Sequence, residues 1–399
     1  MEICTHNEYC GGCIYQEMPY SAQLAYKGSE VLRLLQEKGI DIGDLLTPEN
    51  EETISPEKII APAPCIYRYR NKMEYTFGDQ VKGGEMTLGM HQKGRFMSIV
   101  TVDECQLVDE DFNTALKATL AFCKEHGYRF YNKKAHKGLL RNLIVRKGER
   151  TNELLINLVT SSQDEFDANA YCEMLLALDL HNTIVGILRT INDRIADAVY
   201  CDALHVLYGR DYYTEHIMGL AFQVSAFSFF QTNVPAAERL YKDAIAMIDD
   251  VKDKVVFDLF CGTGTITQSV AAMEAQKAIG IELVEEAVEA AKINAARNNL
   301  TNCEFIAGDV FKILDTVQEK PDVIIVDPPR MGILPKALDK ILAYKTKQIL
   351  YISCNPKTLA DNLRYMAYYG YEPVKFRAYD NFPMTKHVEC VTLMSRVKE

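Results

Sequence analysis

The chain has 399 residues, which is long enough for two or three domains that each bury a hydrophobic core. Its apolar fraction of 48% and charged fraction of 25% are typical of a water-soluble globular protein, and no apolar run approaches the ~20 residues that span a bilayer. The net charge of −11 argues against a general nucleic-acid binder, because phosphate contacts need clustered cations.

The N-terminal segment, residues 1–15, is short and rich in glycine and cysteine. Cys4, Cys10 and Cys13 are separated by five and then two residues, and Gly11-Gly12 permit a tight loop between the last two cysteines. Three thiols so close together predict a metal-binding knuckle. This start has neither a basic region nor an apolar signal core, so we expect a cytoplasmic protein that does not contact a membrane.

Residues 16–47 are predicted to form a helical segment that packs on the C-terminal domain. The polar stretch 47–64 contains four prolines and is typical of a linker. The apolar residues that recur at roughly helical spacing are Leu24, Val31, Leu32, Leu34 and Leu35.

The middle region, residues 65–220, changes to short alternating segments that predict antiparallel strands in an α+β domain. The strands are expected at 71–77, 95–102, 140–146 and 153–159. Basic residues cluster here, which indicates either an RNA-binding surface or an ordinary solvated face. These residues are Arg68, Arg70, Lys72, Lys133, Lys134, His136, Lys137, Arg141, Arg146 and Lys147.

From residue 222 to 399, apolar strands alternate with helices, which predicts a doubly wound parallel sheet of the Rossmann-like α/β class. The strands are expected at 255–260, 278–282, 303–307, 323–326 and 349–352. Between them, 283–299 has a helical pattern, with Val284, Ala287, Val288, Ala291 and Ala295 on one face.

The predicted strand 255–260 runs into the turn Cys261-Gly262-Thr263-Gly264-Thr265. A Gly-x-Gly turn after a strand lets backbone approach a ligand, although a purely structural turn has the same pattern. Position 267 is threonine, so the third glycine of the dinucleotide fingerprint is missing. Asp258, Glu282 and Asp309 add carboxylates near this turn, which favours a nucleoside without a pyrophosphate, such as S-adenosylmethionine.

Two further strand ends carry chemistry. The fourth strand ends in Asp327-Pro328-Pro329-Arg330, where the prolines fix the backbone and turn Asp327 toward the same crevice. The fifth is followed by Ser353-Cys354-Asn355-Pro356, and the start of the next helix is expected to lower the pKa of the Cys354 thiol. Taken alone, each feature is also consistent with a rigid turn or with an inert core cysteine.

Methylation of carbon 5 of uracil needs a thiolate that adds to carbon 6 and a base that later removes the proton from carbon 5. Cys354 and Glu389, which lies in a predicted C-terminal strand, are the candidates for these two roles. His387 is the alternative base, although we interpret it as structural.

At this point the chain resembles the RNA uridine-5-methyltransferases of the type that modify bacterial 23S ribosomal RNA and carry an iron–sulfur cluster. The resemblance covers residues 4–396 and rests on strings in the family's order. They are Cys-x5-Cys-Gly-Gly-Cys from Cys4, Tyr69-Arg70-Asn71-Lys72, Phe230-Gln231-Thr232-Asn233, Asp-Leu-Phe-Cys-Gly-Thr-Gly from Asp258, Asp-Pro-Pro-Arg from Asp327, Ser-Cys-Asn-Pro from Ser353, and Phe-Pro-Met-Thr-x-His-Val-Glu from Phe382.

The resemblance implies that Cys354 is the nucleophile and Glu389 the proton acceptor. It also implies an S-adenosylmethionine site lined by Gln231, Phe260, Thr265, Glu282, Asp309 and Asp327. Cys105 is the implied fourth ligand beside Cys4, Cys10 and Cys13, and the implied metal group is a four-iron, four-sulfur cluster. Spacing alone leaves zinc with four cysteines open.

The implied partner is RNA, with 23S ribosomal RNA as the expected substrate and transfer RNA as the alternative. Many members of the family have an N-terminal RNA-binding β-barrel; we expect this protein to do without it and to bind RNA through the middle region. We expect a monomer. A rival of another class is a non-catalytic RNA-binding assembly factor, which would need neither Cys354 nor Glu389.

Overall fold

The computed structural model describes residues 3–45, 59–196 and 198–397. Its internal contacts divide the chain into two compact units. The first comprises Met1–Glu17, Cys65–His216 and Phe222–Phe227, and the second comprises Met18–Pro64, Ile217–Ala221 and Ser228–Glu399.

The described helices are α1 Tyr20–Gln36, α2 Glu110–Glu125, α3 Ala168–Leu176, α4 Val234–Met247, α5 Thr265–Ala272, α6 Glu285–Arg297, α7 Val310–Ile313, α8 Pro335–Ala343 and α9 Pro356–Ala367. The described strands are β1 Ile60–Ala61, β2 Lys72–Asp79, β3 Met86–Gln92, β4 Arg95–Thr101, β5 Leu140–Lys147, β6 Glu153–Thr160, β7 Thr183–Ile191, β8 Ala203–Gly209, β9 Tyr212–Ile217, β10 Leu220–Ser225, β11 Val255–Leu259, β12 Lys277–Glu282, β13 Cys303–Ala307, β14 Val323–Val326, β15 Gln348–Ser353, β16 Tyr371–Tyr379 and β17 Glu389–Arg396.

The first unit is built on a seven-stranded sheet in the order β4-β3-β2-β5-β6-β7-β8. Its neighbouring strands are antiparallel except for β6 and β7, which are parallel. Apolar residues of α2 and α3 pack with the sheet in one core, which Phe112, Leu116 and Tyr171 fill without solvent exposure. The predicted mixed α and β composition of the middle region is therefore observed. Strands β9 and β10 form a separate two-stranded sheet.

The second unit is built on an eight-stranded sheet in the order β1-β16-β17-β15-β14-β11-β12-β13. Five neighbouring strands of this sheet run parallel to one another, namely β15, β14, β11, β12 and β13. Strand β17 lies between β15 and β16 and is antiparallel to both. The five predicted strands are all present, and the doubly wound Rossmann-like fold is confirmed. The strands β11, β12, β14 and β15 are buried along nearly their whole length, which explains their continuous apolar runs.

Two details differ from the sequence predictions. Val284 is 50% exposed, because it precedes α6 as its N-cap and so lies outside the helical face that buries Val288 and Ala291. The predicted linker 47–64 lies outside the described residues from 47 to 58, and its remainder includes strand β1, which pairs in parallel with β16. Ile60 and Ala61 are thus part of the sheet, and both are buried, as their apolar side chains allow.

In the described parts of the chain, no helix combines the length and the apolar character that crossing a membrane requires.

Candidate active site

The strand order of the second unit reverses between β11 and β14, which are direct neighbours in the sheet. In open α/β sheets, the carboxyl ends of the strands at such a reversal leave a crevice in which ligands bind. Asp258 lies near the carboxyl end of β11, and Asp327 follows β14 directly. The predicted functional residues from several strands therefore meet at one edge of this sheet.

The turn after β11 has an unusual backbone at Phe260, whose φ is +68°. A bulky residue in this left-handed region costs roughly 1–3 kcal/mol, and such strain concentrates at functional sites. The Phe260 amide donates to the Ile281 carbonyl at 2.9 Å, which holds the turn against β12. Gly264 is the N-cap of α5 and has a φ of +76°; a Cβ at this position would lie 2.5 Å from the Phe305 ring. Thr265 is the first residue of that helix.

The two acids after β12 and β13 are held by backbone amides. Glu282 accepts from the Gly262 amide at 3.1 Å through one carboxylate oxygen and from the Val284 amide at 3.0 Å through the other. Asp309 caps α7 by accepting from the Phe311 amide at 3.0 Å. A carboxylate oxygen has more than one acceptor position, so Glu282 can still accept from ribose hydroxyls in this fixed orientation.

Asp258 is only 1% exposed. One of its oxygens accepts from the Thr267 hydroxyl at 2.6 Å, whereas no donor among the described residues reaches the other oxygen. Burial raises the pKa of Asp258 to about 7, and the charge of Glu282 adds to the effect. Thr267 thus occupies the place of the missing third glycine because its hydroxyl fixes this carboxyl group. A buried acceptor without a donor is uncommon and indicates a ligand-binding position.

Cys354 and Glu389 are brought together by the pairing of β15 with β17. The ladder pairs Ser353 with Cys390, so one further step along both antiparallel strands places Cys354 opposite Glu389. Opposite residues of an antiparallel pair have Cβ atoms about 4.5–5.5 Å apart. Asn355 then begins α9 as its N-cap and accepts from the Lys357 amide at 3.2 Å.

The electrostatics of this pair depart from one expectation. Burial, together with the charges of Glu389 and Asp327, raises the pKa of Cys354 to about 11, against the opposing charge of Arg330. The prediction of a lowered thiol pKa is therefore wrong, because burial and, after it, two nearby carboxylates disfavour the thiolate. Burial and Asp327 also raise the pKa of Glu389 to about 8, and burial and Asp258 raise that of Asp327 to about 7.

Arg330 is the cation of this site, and the sequence analysis assigned it no role. Its charge lowers the pKa of both Cys354 and Glu389. One guanidinium nitrogen lies 2.9 Å from Nδ1 and 3.2 Å from Nε2 of His387. Its backbone carbonyl accepts from the Asn355 side chain at 2.8 Å. The Asp-Pro-Pro-Arg string, which contains Arg330, is the sequence signal that could have indicated a role for it.

Gln231 is placed by a tyrosine that the sequence did not reveal. Its side-chain amide donates to the Tyr241 hydroxyl at 2.8 Å. Tyr241 is 4% exposed on α4, and the charges of Asp327, Glu389 and Asp258 all contribute to raising its pKa, so it lies close to the acids of the site. No sequence motif singles out Tyr241, since it lies in an ordinary amphipathic helix.

The four predicted metal ligands belong to the first unit. Residues 4–10 approach the loop before Cys105, because Nε2 of His6 lies 3.2 Å from the Asp103 carboxylate and 3.3 Å from the Glu104 amide nitrogen. The thiol of Cys13 has its pKa raised to about 12 by burial, with contributions from the charges of Cys105, Cys10 and Cys4.

The four sulfurs are thus electrostatic neighbours. Within the described ranges, however, no three or more His, Cys, Asp or Glu side chains converge as metal ligands would.

Several cations predicted as a surface cluster are instead used inside the first unit. Arg141 is 7% exposed and donates to three carbonyls of 192–196, at 2.7–3.0 Å. Arg146 donates to the Ser225 carbonyl at 2.6 Å, and Lys147 pairs with Asp109 at 2.9 Å. These three residues therefore form neither a solvated face nor an exposed RNA-binding surface. The cluster members that are fully exposed around 134–137 are Lys134, His136 and Lys137.

Comparison with known proteins places these observations in a family. The profile of the tRNA (uracil-5-)-methyltransferase family matches residues 35–397. An RNA methyltransferase of Clostridium tetani is 49% identical over 387 residues, which are 97% of this chain and 82% of that protein. A second, from Caldanaerobacter subterraneus, is 47% identical over 393 residues, covering 98% of this chain and 84% of that protein.

A solved structure extends the similarity to three dimensions. The tRNA (uracil-54, C5)-methyltransferase of Pyrococcus abyssi, in complex with S-adenosyl-L-homocysteine, is similar with a TM-score of 0.77 and 26% identity. The match covers 96% of this chain and 84% of that structure. The chain belongs to the tRNA (uracil-5-)-methyltransferase family and is an RNA methyltransferase.

Proposed function

We propose that the protein transfers a methyl group from S-adenosylmethionine to carbon 5 of a specific uridine in RNA. Cys354 is the nucleophile and Glu389 the base. The proposal is carried by the strand register, which pairs Ser353 with Cys390 and so brings Cys354 and Glu389 to the same end of β15 and β17, where the charge of Glu389 acts on the Cys354 thiol. Asp327 lies at the end of the neighbouring strand β14. One thiol and one carboxylate facing each other are what addition to and elimination from a pyrimidine ring require.

The reaction begins when the Cys354 sulfur bonds to carbon 6 of the uracil, which shifts electron density to carbon 5. S-adenosylmethionine supplies the methyl group that carbon 5 then takes. Glu389 removes the proton from carbon 5, and the bond between Cys354 and carbon 6 breaks as the ring double bond re-forms. The raised pKa of Glu389, about 8, suits a group that must accept a proton near neutral pH.

The high pKa of Cys354 means that the resting group is a thiol, and this partly exposed group has to release its proton to solvent before the sulfur adds. Arg330 assists because its charge favours the thiolate. A thiol that ionises only when the substrate is bound is protected from alkylation and oxidation in the free enzyme.

The residues present fit S-adenosylmethionine. Asp258 offers a buried carboxylate oxygen that no described residue satisfies, and the ammonium group of the methionine moiety is a suitable donor for it. Glu282 offers fixed acceptors for the ribose hydroxyls, and the turn at Phe260 to Gly264 supplies close backbone. Gln231, Thr265, Asp309 and Asp327 are the remaining side chains that we assign to this site.

The donor set of Cys4, Cys10, Cys13 and Cys105 fits a four-iron, four-sulfur cluster in its chemistry, because all four ligands are thiols within electrostatic reach of one another. Zinc remains the alternative for four thiolates. We propose a structural role, since the methylation chemistry requires no electron.

RNA binding is assigned to an exposed aromatic and basic patch of the first unit. Phe96 is 64% exposed, stacks on His91 with ring centroids 4.7 Å apart, and lies 5.4 Å from the Lys133 ammonium. Exposed Lys134 and Lys137 follow in the same loop. Aromatic rings beside cations are the usual means of stacking unpaired bases and neutralising their phosphates.

The proposed RNA substrate is 23S ribosomal RNA, because the cysteine motif resembles that type of enzyme. Transfer RNA is the second candidate, favoured by the similarity to the archaeal enzyme that modifies uracil 54 of tRNA. Unmodified transcripts of both RNAs, incubated with the protein and labelled S-adenosylmethionine, distinguish the two by mass mapping of the methylated nucleotide. Labelling of neither transcript, with cluster-loaded protein, would refute the proposed activity.

Two variants test the residue roles in the same assay. Cys354→Ala is expected to abolish methylation while leaving S-adenosylhomocysteine affinity nearly unchanged, because the thiol contacts the base and not the donor. Glu389→Gln is expected to accumulate a methylated covalent protein–RNA adduct, because elimination stalls after methyl transfer. Methylation that persists in Cys354→Ala would refute the covalent mechanism. A non-catalytic assembly factor predicts no product from the native protein either.

A further inference from the structure

The loop that leads into Glu389 connects β16 to β17 and comprises residues 380–388. The sheet register pairs Tyr379 with Glu389, so both ends of the loop are anchored in the sheet. Between them, nine residues contain neither helix nor strand. A loop of this length would leave the proposed base poorly positioned unless other groups hold it.

Helix α1 holds this loop with two polar side chains one turn apart. The Lys27 ammonium pairs with the Asp380 carboxylate at 2.6 Å, and both side chains are excluded from solvent. The same ammonium donates to the Phe382 carbonyl at 3.2 Å. Gln23 is also fully buried and accepts from the Met384 amide at 3.0 Å.

These contacts form part of one buried stripe of α1. Gln23, Lys27, Val31 and Leu35 follow each other at intervals of four residues and are all buried. Apolar side chains would satisfy packing at every one of these positions. Burying a lysine is costly, and desolvation does lower the pKa of Lys27, so two polar groups here need a reason beyond stability.

A third contact comes from helix α4. Asn233, its N-cap, donates from its side chain to the Asn381 carbonyl at 2.8 Å. This residue ends the string that contains Gln231. Side chains from α1 and from the start of α4 therefore hold the loop at residues 380, 381, 382 and 384. A little further along the loop, His387 contacts Arg330 at the candidate site.

We propose that Gln23 and Lys27 of α1, with Asp380, are positioning residues for the proton-abstraction step, because they hold the loop that sets Glu389 and Arg330 against the base. This inference rests on the proposed function. None of the three contacts substrate. Their loss should act on elimination of Cys354 from the methylated ring more than on methyl transfer, since only elimination needs the Glu389 carboxyl at carbon 5.

The decisive variant is the double substitution Lys27→Met with Asp380→Asn. Either single change leaves a buried charge without its partner and is expected to lower the melting temperature strongly. The double variant removes both charges and is expected to regain most of that stability while the ammonium's hold on the Phe382 carbonyl stays lost. Tyr371→Phe is the matched control, because its buried hydroxyl bonds the Thr346 carbonyl in the same unit.

The readout is single-turnover methylation of whichever transcript, 23S ribosomal RNA or transfer RNA, the native protein modifies. Reactions are quenched in denaturant, and the methyl label is divided between free RNA and covalent adduct. In the double variant we expect methyl incorporation at a near-native rate and decay of the adduct slowed by about tenfold or more, since small misplacements of a catalytic group have effects of this size. Tyr371→Phe should show adduct decay at the native rate.

The possible outcomes separate the inference from the function on which it rests. A double variant with recovered stability and native adduct decay would overturn the positioning role, even while Glu389→Gln accumulates adduct. If the double variant does not fold, Gln23→Leu carries the same test, because it removes the bond to Met384 without burying a charge. A native protein that forms neither product nor adduct would refute the proposed function and the inference together.

Discussion

The high pKa of Cys354 is the most specific physical prediction of the site. A thiolate is the form that reacts with iodoacetamide, so the alkylation rate follows the ionised fraction. With a pKa of about 11 in place of the ordinary 9.0, the thiolate is about 1% of Cys354 at pH 9 instead of about half. We therefore expect Cys354 to be alkylated far more slowly than a free cysteine at this pH.

Two substitutions should shift this rate in opposite directions. At pH 9 Glu389, with a pKa of about 8, is ionised, so Glu389→Gln removes a negative charge and should lower the pKa of Cys354 and speed its alkylation. Arg330→Met removes the cation that favours the thiolate and should slow it. Both changes keep the approximate size of the side chain.

The assay is peptide mass spectrometry of protein alkylated between pH 7 and 11, with the exposed Cys65 in the same sample as an internal reference for the reagent. A titration midpoint for Cys354 at or below 9 in the native protein would refute the reasoning. Shifts of the same sign in the two variants would also refute it, because electrostatic coupling requires opposite signs.

Three further predictions concern other parts of the chain. Because the pKa of Asp258 is raised to about 7, its carboxyl in the native protein keeps a proton that the unfolded chain loses above about pH 4. As pH rises from about 4 to 7, this difference lowers the free energy of unfolding by about 4 kcal/mol. Asp258→Asn should flatten the pH dependence of the unfolding free energy over that range, and an unchanged slope would contradict the assignment. Gly11→Ala should lower the iron content of the purified protein, because its Cβ would lie 2.9 Å from the His91 carbonyl oxygen and displace the loop. Gly12→Ala should lower it less, since its Cβ would meet only Cys10 Sγ at 3.4 Å. Equal iron in the two variants would argue against a cluster in this loop. Phe96→Ala should weaken RNA binding by roughly tenfold, the loss of one stacked base, in fluorescence anisotropy, while the exposed Tyr208→Ala should not, and equal losses would move the RNA surface elsewhere.

The parallel sheet and the order of its motifs were predictable because their signals are local. A buried strand appears as a short apolar run, and functional residues follow such runs at positions that the sheet then brings together. Asp258, Glu282, Asp309 and Asp327 could be named for this reason. Cys354 and Glu389 also follow or begin strands, but the register that makes them neighbours comes from the pairing of β15 with β17.

Residues whose environment depends on distant partners were misjudged or missed. Arg141, Arg146 and Lys147 read as surface cations, yet each has acceptors from other parts of the fold that allow it to be buried. Lys27 is buried for the same reason, because Asp380 lies 353 residues further along the chain. The pKa of Cys354 depends on carboxylates contributed by two other strands, which a rule about helix termini does not include.

The amino-acid sequence by itself thus determined the class of the sheet, the site's strand ends and the residue types available for the chemistry, since periodicity and turn residues act over a few positions. The tertiary structure decided which charges face each other, which cations are buried and which helix holds the loop before Glu389. The physical reason is that desolvation and Coulomb interactions depend on distance in space, and neighbours in space are here separated by up to hundreds of residues in the chain.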